Sequence, residues 1–299
     1  MCGIVGLYLK NDALAGQLGE HLVAMLVEMT ERGPDSSGVA IYRRPAAAGY
    51  EKLTLFHSDP NYEWAGLAGE MQMALGDVDE PEQRDNHCIL TTAAAPKAAV
   101  AWLVDEHPEV RVVSVGNTIE VFKEKGLPSE VAARFKVSEM EGSHALGHTR
   151  MATESAVTTQ HSHPFSVGED LCLVHNGSLS NHNRLRRWLM KRGLEFQSDN
   201  DTEVAAAYLT YQINQGASLK EALEAGLEDL DGFYTFAVGT RDGFAVVRDP
   251  IACKPAIMAE TDDWVAMASE FRAIARLPGV ENATIWEPKP ATIYAWGRA

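Results

Sequence analysis

Cysteine is scarce in this 299-residue chain, which has only Cys2, Cys88, Cys172 and Cys253. So few thiols in so long a chain form no disulfide framework and fit a reducing compartment. Cations are also in short supply: 26 Lys and Arg stand against 42 Asp and Glu, a formal charge of −16. That balance argues against a nucleic-acid surface or an anionic membrane as partner, since both demand clustered Lys and Arg. No apolar run approaches the ~18–20 residues of a membrane span. The N-terminus lacks a basic leader, and its apolar stretch breaks at Lys10-Asn11-Asp12; a signal peptide is not expected, and the cytoplasm is the expected location. Internal repeats, low-complexity tracts, a phosphate-cradling Gly-rich loop and a cysteine cluster for iron–sulfur ligation are all missing. Six histidines fall between His144 and His182, yet no carboxylate or cysteine accompanies them at zinc-like spacing, so no metal is expected.

What is present is an ordinary globular composition, 45% apolar and 23% charged. Gly3–Leu9 reads as a buried strand, and Leu18, Leu22, Met25, Leu26 and Met29 recur at helical spacing between Leu14 and Arg32. Gly33-Pro34-Asp35 breaks that helix before a strand over Ser37–Tyr42. From 52 to 141, strand-like and helical runs alternate in an α/β segment of its own, with Gly76–Asp85 as an exposed loop. Compact strands return at 145–152, 171–175, 233–240, 243–249 and 264–269, with helices at 181–192, 202–215 and 219–230 between them.

The chemistry starts at Cys2. Its small side chain permits removal of Met1, which would leave a thiol and a free α-amine on one carbon: a nucleophile with its own base. A buried free cysteine opening a strand is the alternative. Amide cleavage also needs an oxyanion hole. Val174-His175-Asn176-Gly177-Ser178 can aim the Asn176 amide and the Gly177 N–H at one point, though Asn-Gly is equally a common turn. Arg150, in a strand poor in charge, suits a substrate carboxylate or an internal ion pair. Asn200 and Glu203 form a capping box around the start of a helix. Asp201 then serves either a substrate ammonium or the helix dipole. Arg32-Gly33-Pro34-Asp35-Ser36 is a tight turn able to approach the N-terminus.

Together, Cys2-Gly3-Ile4-Val5-Gly6, Arg32-Gly33-Pro34-Asp35-Ser36, Gly147-His148-Thr149-Arg150, His175-Asn176-Gly177, Asp201-Thr202-Glu203, Asp231–Ala237 and Arg248-Asp249-Pro250 follow the order seen in class II glutamine amidotransferases. The chain resembles that family from residue 2 to about 270, apart from the 52–141 segment. The resemblance implies an α+β fold, the four-layer αββα sandwich of N-terminal-nucleophile hydrolases, with 52–141 inserted into a single domain over 1–299. It implies Cys2 as nucleophile, Asn176 and Gly177 as oxyanion hole, and Arg150, Thr153, Asp201 and Arg32 as substrate-binding residues. Met151 and Glu154 depart from the family, where an aromatic residue and histidine are common. Within it, Gly147–Ser155, Val174–His182 and Val247–Pro255 look most like the small amidotransferase-like subunit of N-methylglutamate synthase (methylamine–glutamate N-methyltransferase). That likeness implies no cofactor on this chain and glutamate synthase-like partner subunits carrying FMN and an iron–sulfur cluster. A stand-alone amidohydrolase and a non-catalytic structural subunit are the rival readings.

Overall fold

The computed structural model describes residues 2–152 and 157–297. Its largest sheet runs, in spatial order, β15 (Thr284–Trp286), β13 (Ile257–Glu260), β14 (Trp264–Ala268), β1 (Gly3–Leu9), β8 (His144–Arg150), β2 (Ser36–Tyr42) and β7 (Ile119–Lys125). A second sheet runs β16 (Ile293–Gly297), β12 (Gly243–Arg248), β11 (Gly232–Thr240), β10 (Cys172–Leu179) and β9 (Phe165–Ser166). A third, smaller sheet has the order β4 (Glu82–Arg84), β5 (His87–Thr92), β3 (Glu51–Phe56) and β6 (Arg111–Gly116).

Strand alternation sorts the side chains into layers. From β1, Val5, Leu7 and Leu9 face a core built with Leu22, Met25 and Leu26 of α1 (Leu18–Val27). Ile4 and Tyr8 point the other way, into a core shared with Cys172, Val174, Ala237 and Phe244 of the second sheet. Both faces of β1 are therefore dry, which is why its sequence is an unbroken apolar run. The second sheet's outer face, with Leu173, Phe236 and Val238, packs on α5 (His182–Met190), α6 (Asp201–Asn214) and α7 (Leu219–Asp229). The result is the expected αββα sandwich, with α4 (Pro128–Arg134) and α8 (Phe271–Ile274) joining α1 on the first outer face. Among the described residues no helix is long and apolar enough to cross a membrane.

The third sheet encloses its own core, in which Leu53 and Leu90 meet Trp64 and Met71 of α2 (Trp64–Leu75) and Leu103 of α3 (Pro96–Glu106). This unit spans 51–116, shorter than the 52–141 expected, and its His87 and Ile89 also pack on the sandwich. The difference lies in β7 and α4: β7 pairs with β2 from Ser36↔Lys125 to Tyr42↔Ile119, so it is an edge strand of the sandwich. It has apolar residues for both faces, Ile119 and Val121 toward the second sheet and Phe122 toward α1. The 76–85 stretch is not all loop, because Glu82–Arg84 pairs with β5. Glu120, 1% exposed, clasps the unit to the sandwich by meeting Arg43 and Lys52 at 2.9 Å each.

Candidate active site

The site lies where the first residues of β1 meet the ends of β8, β10 and β14. β1 is central in its sheet, paired with β14 on one side and β8 on the other, so Cys2 emerges from a rigid position. Its carbonyl accepts two hydrogen bonds, from Asn176 Nδ2 at 2.8 Å and from Arg32 Nε at 2.9 Å. Its Sγ lies 3.9 Å from the Met151 carbonyl. Cys2 is half-buried, so its thiol can be reached from outside.

Asn176 and Gly177 are strand residues, which removes the turn as an explanation. β10 extends beyond the expected 171–175 to Leu179, pairing Asn176 with Thr235 and Gly177 with Tyr234 of β11. Gly177 has φ +144°, and a Cβ there would lie 2.0 Å from the Phe233 carbonyl oxygen. Only glycine suits that backbone and that approach. The strand thereby brings the buried Asn176 amide and the exposed Gly177 main chain to the thiol's residue.

Arg150 ends β8 and is 6% exposed. The turn after α1 grips the same strand end: Asp35 N–H donates to the Arg150 carbonyl at 3.1 Å, and Ala152 N–H to Asp35 Oδ2 at 2.7 Å. Gly33 is what allows this contact, since a Cβ would fall 2.5 Å from the Arg150 nitrogen. Arg32, expected among the substrate-binding residues, has Nε on the Cys2 carbonyl and Nη1 on Glu270 Oε1 at 2.6 Å. Arg32 thus braces the Cys2 backbone against Glu270. Thr153 and Glu154 lie outside the described residues.

Asp201 opens α6, as expected, but the capping arrangement differs. Asn200 caps the helix through Thr202 N–H at 2.8 Å, whereas Glu203 turns away to accept from Gln197 N and Ser198 N at 2.7 and 2.8 Å. No reciprocal box forms, because Glu203 satisfies the turn preceding the helix. Asp201 Oδ2 accepts the Leu179 N–H at 2.9 Å, and Oδ1 is 3.7 Å from His175 Nδ1. Burial opposes ionisation of this carboxyl, but the imidazole and the Leu179 N–H outweigh it and hold it at about 2. Asp201 is therefore an anion at neutral pH, suited to a substrate ammonium.

Behind the site, His148 Nε2 donates to the His175 carbonyl at 3.0 Å. Its ring stacks on His163, with centroids 3.9 Å apart. Burial holds His148 neutral, pushing it down to about 3, and moves His163 the same way. These histidines are packing and hydrogen-bonding elements of the inter-sheet layer. Sequence reasoning missed Ser269 and Glu270, both at the end of β14: Ser269 Oγ accepts the Ile4 N–H at 2.9 Å, and Glu270 engages Arg32. No local pattern marks them, because their role exists only once β14 lies beside β1.

Comparisons with known proteins bear on the family and the fold. A family model described as a glutamine amidotransferase domain matches residues 148–276. The glutamine amidotransferase-like protein GlxB of Rhizobium meliloti is 55% identical over 297 residues, covering 99% of this chain and 98% of that protein. A putative glutamine amidotransferase of Methanothermobacter thermautotrophicus is 32% identical over 307 aligned residues, covering 98% and 99%. Among solved structures, the glutamine phosphoribosylpyrophosphate amidotransferase of B. subtilis superposes with a TM-score of 0.63 at 20% identity, over 99% of this chain and 47% of that one. The likeness to that larger enzyme is one of fold. Full-length similarity to the two sequence relatives, on a sandwich that places Cys2 against Asn176, makes this chain a member of the class II glutamine amidotransferases.

Proposed function

We propose that the chain hydrolyses the γ-carboxamide of glutamine with Cys2 as nucleophile and delivers the amine to a partner polypeptide. With Met1 removed, the Cys2 α-amine takes the thiol proton, and Sγ attacks the amide carbon. The resulting oxyanion sits on Asn176 Nδ2 and the Gly177 N–H. The protonated α-amine then gives its proton to the leaving nitrogen as the C–N bond breaks. A γ-glutamyl thioester remains, and water, activated by the same amine, releases glutamate. Arg150 takes the substrate α-carboxylate and Asp201 its α-ammonium, and the family resemblance adds Thr153 as a further substrate-binding residue. Arg32 holds Cys2 in place through its carbonyl.

The observation that carries this reading is the 2.8 Å contact of Asn176 Nδ2 with the carbonyl of Cys2. It fixes a donor within one residue of the thiol. Glutamine hydrolysis by the purified chain tests the reading, with intact mass measured on the same sample. Activity is expected only in protein that has lost Met1; full turnover by protein retaining Met1 refutes the amine's role.

The likeness to the small subunit of N-methylglutamate synthase suggests the finer reading. In it the acceptor site, with FMN and an iron–sulfur cluster, belongs to glutamate synthase-like partner subunits, and the 51–116 unit docks one of them. Tyr50 O and Asn117 Nδ2 lie 2.9 Å apart at the unit's base, so a short linker can span its two ends. Co-expression with such partners should raise glutamine turnover and couple it to amine incorporation. Assembly that ignores deletion of 51–116 would remove the docking role.

A further inference from the structure

We infer that the Ser269 hydroxyl is a positioning group that sets the Asn176 amide over Cys2, an inference that rests on the proposed oxyanion role of Asn176. β14 pairs with β1 from Leu9↔Trp264 to Val5↔Ala268. The next pair, Ile4 with Ser269, is only half backbone. Ser269 N–H donates to the Ile4 carbonyl at 2.9 Å, as the ladder requires. The Ile4 N–H, however, donates to Ser269 Oγ at 2.9 Å, so a side chain stands where a main-chain carbonyl would be.

This substitution has two consequences. The main chain is released from the sheet one residue early, which lets Glu270 turn toward Arg32, the residue bracing the Cys2 carbonyl. The hydroxyl oxygen is also pinned beside the Asn176 amide, with Nδ2 3.5 Å away. The Cys2 carbonyl, which only accepts, holds the NH2 side of the Asn176 amide in place, and the Ser269 oxygen, already accepting from a main-chain N–H, offers its remaining lone pair to the same NH2 group. Reversed, the amide would turn an acceptor toward an oxyanion. At 4% exposure, Ser269 has no solvent to replace this contact. It touches no reacting atom; it acts through Ile4 and Asn176.

The test is a set of variants of the full chain. Ser269→Ala should lower kcat for glutamine by about 10- to 100-fold and leave KM within about threefold, because the loss falls on transition-state stabilisation. Ser269→Thr, which keeps the hydroxyl, should restore most of the rate. In an Asn176→Ala background, Ser269→Ala should cost less than about threefold more, since the group it positions is gone. The Asn176 side-chain amide resonance should shift in Ser269→Ala and stay in place in Ser269→Thr. Ser269→Cys, similar in size but a poor acceptor, is read in the same way and decides the matter if alanine does not fold. Equal rate losses in both backgrounds, or an unmoved Asn176 resonance, overturn the inference. If the wild-type chain hydrolyses no glutamine, the functional reading fails, while the resonance still decides the role of Ser269.

Discussion

Replacing Asn176 by alanine should separate catalysis from folding at one position. Its Nδ2 carries two hydrogens. One is committed to the Cys2 carbonyl at 2.8 Å, while the nearest second acceptor, Ser269 Oγ, is 3.5 Å away. At that distance Ser269 orients the second hydrogen without committing it, so the hydrogen can pass to an oxyanion. In Asn176→Ala the Cys2 carbonyl keeps its bond from Arg32 Nε at 2.9 Å and is not orphaned. The stability loss should therefore be that of one ordinary hydrogen bond, about 1 kcal/mol. The loss of transition-state stabilisation should be larger, ~2.7–4 kcal/mol, or a ~10²–10³-fold fall in kcat. Glutamine turnover and thermal unfolding measured on one preparation give both quantities. A fall in kcat of less than about tenfold, or a stability loss as large as the catalytic one, would refute the reasoning and leave Asn176 a strand residue that only anchors Cys2.

Arg150→Ala and Asp201→Ala should weaken capture of glutamine and of glutamine-like affinity labels, while alkylation of Cys2 by a small uncharged thiol reagent proceeds nearly unchanged; equal loss with both kinds of reagent would show a collapsed site. Asp201 also makes a pH prediction. Its carboxyl lies at about 2, below the ordinary 3.8, so its ionised form is favoured by folding. Its contribution to stability is complete above about pH 4 and is lost as pH falls through 2. Denaturant midpoints should then fall less steeply between pH 4 and 2 in Asp201→Asn than in the wild type, and parallel profiles would dismiss the coupling to His175 and Leu179.

The boundary between what was legible in the sequence and what was not runs along local versus long-range information. Alternation and helical spacing are properties of neighbouring residues, so single elements follow from them: β1 buries two faces and reads as an unbroken apolar run, and α1 shows one stripe, while the layering into a sandwich is implied by the family resemblance. The candidate nucleophile is proposed from the same kind of local information, the place of Cys2 beside Met1. The motif around Asn176 was visible, but its being strand rather than turn was not, because β10 is extended to Leu179 by pairing with β11. The end of the 51–116 unit was misplaced because β7 is an equally good strand in either sheet, and only its pairing with β2 decides between them. The bracing of Cys2 was beyond any local signal. Asn176 is 174 positions from Cys2, and Ser269 is 265 from Ile4. Which distant residue meets Cys2 depends on sheet register and on how the two sheets stack, and a shift of one residue would turn each of those side chains to the opposite face.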